Sequence, residues 1–347
     1  MWSTISSIYV RHVSCGHKSN TGLQRRSLPG CVLRVTLAVL SCSTAAWAGV
    51  HTQGVHTQGV HTQGTDADWL RGPSLMATLG DDTTVEIVHF AGDEIHALVF
   101  APTTAEPTLS VLAPDDLLGM LWLETQCDDT SCVQREYRID RVTRDASTST
   151  MPSHADNGDV PLYRLEFRQP GTDSGPDDGV DGWMPVCAPD DSDDGMGLFV
   201  DGRFDTDGSW HADGYTFSCA RGTVAKCVRA WGYKPWRTVA TPVYGEVDMR
   251  PLHLACTRAA RAEYCGDGVS YTRDGTLIDM FDIYGLNVRE SPTGFSEEST
   301  WSTGGAVSLH HPRVVGQAGR VPMCHAAESH TGDESAVIEV WSQPGAM

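Results

Sequence analysis

The sequence predicts an α+β, mostly β protein. A β sandwich or barrel-like region comes first, and a disulfide-stabilised domain with two short helices and a β-hairpin follows. Three observations carry this. Short alternating apolar segments recur between turn-rich stretches over residues 76–182. Helical periodicity then enters at 224–231 and again at 252–264. Of the eight cysteines beyond residue 48, six lie at or after Cys187.

Residues 1–48 carry five basic side chains (Arg11, Lys18, Arg25, Arg26, Arg34) and no acidic one. The apolar stretch Val35–Ala48 ends in Ala46-Trp47-Ala48 and falls short of the roughly 20 residues that span a bilayer. Together these read as a secretory signal peptide, longer than usual, with cleavage after Ala48. A start codon further downstream, near Leu23 or Leu28, would restore an ordinary length. Val39-Leu-Ser-Cys42 is a weak lipobox, so a lipid anchor at Cys42 stands as the second reading, behind free secretion.

Removing 48 of the 347 residues leaves 299, with 45 acidic and 20 basic side chains and a charge near −25. Such a field repels nucleic acid and anionic lipid. The eight remaining cysteines are even in number and include no C-x-x-C. In an exported chain this indicates four disulfides rather than a redox or zinc-knuckle motif.

The mature chain opens on three copies of one word, Gly-Val-His-Thr-Gln, over 49–63. The pentad segment, 49–75, is too short for a free-standing solenoid, which needs several units to bury a core. Nothing pre-organises His51, His56 and His61 around a metal. Spacer or short edge structure is the expectation. In 76–182 the segments 84–90, 96–100, 117–123, 135–142 and 163–168 read as strands.

Residues 173–213 hold twelve aspartates. Asp190, Ser192, Asp194, Gly195 and Asp201 fall on positions 1, 3, 5, 6 and 12 of a calcium-loop template. Position 12 is Asp where Glu is usual, and Pro185 and Pro189 argue against an entering helix. A calcium site at Asp190, Ser192, Asp194 and Asp201 is the functional reading, against a solvated acidic loop.

Val224, Cys227, Val228 and Trp231 share one helix face; Leu252, Cys256, Ala259, Ala260 and Tyr264 share another. Beyond Gly266, Asp274-Gly275 marks a turn expected to join 269–272 and 276–281 as a hairpin. The run Ala262-Glu-Tyr-Cys-Gly-Asp-Gly268 follows ACTRAAR. It is preceded by Phe217-x-Cys219, Ala225-Lys-Cys-Val228, Gly232-Tyr233 and Pro235-Trp236. Over about 183–315 these residues resemble the ADYC domain, a family named for its Ala-Asp-Tyr-Cys signature. The resemblance implies an exported bacterial protein and implies no particular reaction. The chain departs from the signature at Glu263. The resulting organisation is 1–48 signal peptide, 49–75 pentads, 76–182 β-rich domain and 183–347 ADYC-like domain.

No H-E-x-x-H, G-x-S-x-G, P-loop or G-x-G-x-x-G motif occurs. The remaining acid–base candidates are Glu263, Asp267 and Asp282, with Asp274, Asp279 and His253 nearby. Two carboxyls facing one cleft would make an extracellular hydrolase; pairing with Arg258 and Arg261 would make them structural. Cys324-His325 and His330 are weak metal ligands. Facing helix faces pair Cys227 with Cys256. A helix running through Tyr264 separates Cys256 from Cys265 by roughly 13 Å, too far to bond. The remaining expected bridges are Cys219–Cys265, Cys127–Cys132 and Cys187–Cys324. No cofactor beyond Ca²⁺ and no particular partner is indicated.

Overall fold

The computed structural model describes residues 50–53, 71–72, 75–101, 106–127, 132–146, 157–170, 182–188, 195–204, 210–266, 269–272, 276–289, 293–313 and 336–342. The expected signal peptide, pentads two and three, Asp190, Ser192, Asp194, Asp267, Asp274 and Cys324 lie outside the described residues. The strands in the first half are β1 (Val50–Gln53), β2 (Arg71–Gly72), β3 (Leu75–Thr78), β4 (Thr84–Ala91), β5 (Glu94–Phe100), β6 (Thr108–Leu112), β7 (Leu121–Cys127), β8 (Cys132–Arg144) and β9 (Pro161–Arg168). Next come β10 (Met184–Pro185), β11 (Met196–Phe204), β12 (Trp210–Cys219), helix α1 (Thr223–Arg229), β13 (Thr238–Thr241), β14 (Gly245–Asp248) and helix α2 (Met249–Arg261). The last four are β15 (Thr276–Asp282), β16 (Ser296–Ser302), β17 (Gly305–Leu309) and β18 (Ile338–Ser342).

One large antiparallel sheet runs β2-β12-β11-β9-β8-β7-β3-β4-β5-β6, with β10 on β9. It rolls over so that β4 packs against β11 and β12. The Phe90 ring of β4 stacks on Phe199 of β11, centroids 4.5 Å apart and planes nearly parallel. Val85, Ile87, Trp122, Tyr137, Leu165 and Phe217 fill the interior. This is the barrel-like region, and it crosses the 182/183 boundary expected from sequence, because β11 and β12 complete its wall. The expected strand at 117–123 divides instead into a 3-10 turn at Pro114–Leu117 and β7.

β11 is buried on both faces. Phe199 points into the barrel, while Met196, Leu198 and Val200 meet Val224, Ala225 and Val228 of α1 on the outside. That double burial explains a continuous apolar run rather than an alternating one. Of the calcium reading, β11 places Asp201 alone. The C-terminal half of the supposed loop is extended strand, and at about 3.3 Å per residue Asp201 lies about 17 Å beyond Met196. Asp190, Ser192 and Asp194 lie outside the described residues.

α2 packs on α1 and, with Trp231, Tyr264, Ile278, Met280, Trp301, Ile338 and Val340, forms a second core against the sheet β1-β15-β18-β16-β17. The hairpin expected across Asp274-Gly275 does not form. β15 pairs with β1 and β18, both distant in sequence. The backbone of the first pentad, Val50–Gln53, is the edge strand on β15.

Cys227 bonds Cys256 across the helix pair, Cα atoms 5.9 Å apart, and Cys187 bonds Cys219, 5.6 Å apart. The second bridge replaces the expected Cys219–Cys265 and Cys187–Cys324. β10 hydrogen-bonds to β9, two strands from β12, so Cys187 arrives beside the end of β12. Cys132, which faces Cys127 in the β7–β8 register, and Cys265 are each disulfide-bonded. Non-reducing peptide mapping should return Cys187–Cys219 and Cys227–Cys256. By elimination it should also return Cys265 joined to Cys324; recovery of Cys219 with Cys265 would refute the architecture.

Candidate functional site

The signature run sits where α2 ends. Asp248 caps the start of that helix, accepting from Arg250 N at 3.0 Å. The end comes at Arg261, earlier than the expected Tyr264, because Ala262 takes the left-handed conformation with φ 53° and ψ 43°. A helix leaves its last four carbonyls without intrahelical donors. Here each has one. Arg258 O accepts from Glu263 N, and Ala259 O from Ala262 N. Ala259 O and Ala260 O also accept from the Arg313 guanidinium at 2.9 and 3.0 Å. Arg261 O accepts from Tyr271 N and Ser270 Oγ.

Glu263 follows directly and is fully buried. One carboxylate oxygen accepts from Arg258 and the other from Arg261 at 2.8 Å. Arg258 also donates through Nε to Thr303 O at 2.6 Å, tying the helix end to the β16–β17 turn. Tyr264 donates to Glu298 at 3.1 Å, accepts from Arg313 N at 2.9 Å and stacks on Trp301. Glu298 and Arg313 are themselves a fully buried pair, 2.7 Å apart. Cys265 is in a disulfide. Gly266 has φ 65°, and a Cβ there would stand 2.2 Å from Gly304 O, so only glycine fits. Every described member of the run is thus committed to backbone geometry, a buried charge pair or a covalent bridge.

Asp282, at the end of β15, has separate partners. It accepts from Tyr233 Oη and from the N–H groups of Tyr284, Leu286 and Asn287, between 2.7 and 3.0 Å. Burial raises its pKa, while these donors pull it down. Glu263 and Asp282 therefore each organise their own surroundings, with the oxygens of both already occupied by protein donors. Asp201, the one described member of the calcium set, is bound to His89 Nδ1 at 2.8 Å and Arg250 at 3.4 Å.

Elsewhere, one histidine and one carboxylate have strongly displaced pKa values. His253, on the buried face of α2, is pushed down to about 4 by burial; its Nε2 stands 3.1 Å from Val224 O. Glu124, inside the barrel end, is pushed up to about 7 by burial, against opposing hydrogen bonds from Tyr215 and Trp122. Sequence reading missed Glu124, Glu298 and Arg313. None sits in a motif, and only the three-dimensional partner reveals each.

The sign of the His253 effect is definite. Its folded pKa lies below the unfolded value near 6.5, so its contribution is present above pH 6.5 and is lost as pH falls toward 4. The shift corresponds to about 3 kcal/mol. Because Glu124 has the opposite pH dependence over nearly the same range, the readout is the difference between the two proteins: relative to His253→Leu, the wild-type urea midpoint should drop as pH falls from 6.5 toward 4. An unchanged slope in the variant would remove His253 as the cause. Glu124 acts oppositely, since its raised pKa favours the folded state at low pH and that contribution is lost as pH rises to about 7.

Fold and site define a mostly β, disulfide-braced module whose signature residues bind a helix end to the edge of a second sheet. The ADYC domain model matches residues 114–315, more than half of the chain, and the chain belongs to the ADYC-domain family. The match begins well before the 183 expected from sequence, in keeping with strands β7 to β12 forming the barrel wall. No curated protein and no solved structure matches the chain.

Proposed function

We propose that this protein is an exported module with a binding or structural role rather than a hydrolase with a site at 263–282. The observation that carries the reading is the state of Glu263. Both its oxygens lie in ion pairs with Arg258 and Arg261, and it has no exposed surface with which to meet a substrate. Asp282 supports it, with four donors from the protein itself. Disulfides in an acidic chain, behind a basic acid-free leader, support an oxidising destination. Among the described residues no helix is long and apolar enough to cross a membrane. Net charge of −20 for the whole sequence disfavours nucleic acid as partner.

Expression in a bacterial host with cell fractionation tests the destination. N-terminal sequencing of extracytoplasmic protein should begin at Gly49. Acylated Cys42 would convert free secretion to anchoring, and an intact Met1 on reduced cytosolic protein would sink the proposal.

A further inference from the structure

A histidine pair on the outside of the barrel is left unused by this reading. β4 and β5 are paired in regular register up to Ile87 opposite Ala97, and then the register slips, so that His89 rather than Val88 faces His96. A bulge of this kind re-aims side chains and is common beside functional sites. The two imidazole centroids are 5.5 Å apart. Two imidazoles on one tetrahedral zinc, each nitrogen about 2.1 Å from the metal, have centroids about 5 Å apart.

The surroundings match the chemistry of such a site. Asp201 holds His89 by Nδ1 at 2.8 Å. A carboxylate on one ring nitrogen fixes the tautomer and leaves Nε2 as the basic ligand, the arrangement found behind most metal-bound histidines. Arg250 neutralises the other Asp201 oxygen, so the pair presents no excess charge toward the ring. The Glu94 carboxylate stands 3.9 Å from His96 Nε2, too far for a hydrogen bond, and its side chain is 66 % exposed and free to turn. His89 and His96 are 38 % and 33 % exposed, accessible from solvent. Among the described residues no three such groups already converge in coordinating geometry, so Glu94 must turn to complete the set.

We propose that His89, His96 and Glu94 form a binding site for a divalent transition metal of the zinc class, with Asp201 orienting His89 from behind. Imidazole nitrogens with one carboxylate select zinc, cobalt, nickel or copper over calcium and magnesium. The ion closes the β4–β5 hairpin onto itself and retains a position for water or an external ligand.

Co²⁺ titration of the oxidised full-length protein, followed by its visible absorption and by competition with Zn²⁺, tests this. One equivalent should bind and be lost in His89→Ala/His96→Ala. Because the repeat also carries histidines, His51→Ala/His56→Ala/His61→Ala must retain that equivalent. Glu94→Gln, a change at an exposed side chain, should weaken it by about 10-fold, and Asp201→Asn by about 10- to 100-fold. Unchanged binding in the His89/His96 variant overturns the proposal. So does loss of the equivalent in the repeat variant.

Discussion

Replacing Arg313 with alanine is expected to cost the protein about 3–5 kcal/mol, the range found when one partner of a buried ion pair is removed. Arg313 lies with Glu298 in full burial, bonded through Nε at 2.9 Å and Nη2 at 2.7 Å. The same guanidinium supplies donors to Ala259 O, Ala260 O and Thr272 Oγ1. Among the described residues, alanine would leave the buried carboxylate with Tyr264 as its one donor, and would strip Ala260 O at the C-terminus of α2 of its donor while Ala259 O keeps Ala262 N. Lysine cannot replace the fork, since it offers one ammonium where five planar donors are needed. A Glu298→Gln/Arg313→Met double variant should be less damaged than the sum of its single changes, because it leaves no buried charge unpaired. Urea denaturation of the four proteins closes the cycle. A loss below about 1 kcal/mol for Arg313→Ala would show that the helix end is held by something else.

Much of the barrel was legible because its strands bury one face. β4 alternates Val85 and Ile87 with Thr84 and Glu86, and β9 alternates in the same way toward its end, so period two was visible. β11 was not legible. Packed between barrel interior and α1, it lost its alternation, and its aspartate at 201 invited a loop reading. α2 was legible in its periodicity but not in its end, because alanine at 262 gives no sign of a left-handed residue. The hairpin failed for another reason. Asp274-Gly275 is a sound local turn signal, but the partners of β15 are β1 and β18, and no local rule chooses between neighbours and strands so distant in sequence. Arg313 lies outside any periodic element, and its role depends wholly on what α2 and β16 place around it. The disulfides divide along the same line. Cys227 and Cys256 follow from two helix faces, whereas Cys187 and Cys219 depend on how β10 docks on the barrel.

The departure from the signature at Glu263 offers the sharpest separation of chemistry from architecture. Glu263→Ala should cost about 3–5 kcal/mol, since it leaves Arg261, 3 % exposed, and Arg258, 12 % exposed, facing each other without the anion. Glu263→Gln keeps the shape but places an amide donor against a guanidinium, so it should fall close to alanine rather than to wild type. Glu263→Asp keeps the charge and restores the residue of the family signature. Its carboxylate is shorter by one methylene, so it should hold one guanidinium well and the other loosely, at a cost of about 1 kcal/mol. The expected order of stability is wild type, Asp, Gln, Ala, read from urea midpoints at one pH and one salt concentration. A structural carboxylate gives that order whatever is assayed afterwards. If the Gln variant kept wild-type stability, the ion pairs would not be the reason for an acid at this position, and a chemical role for Glu263 would return.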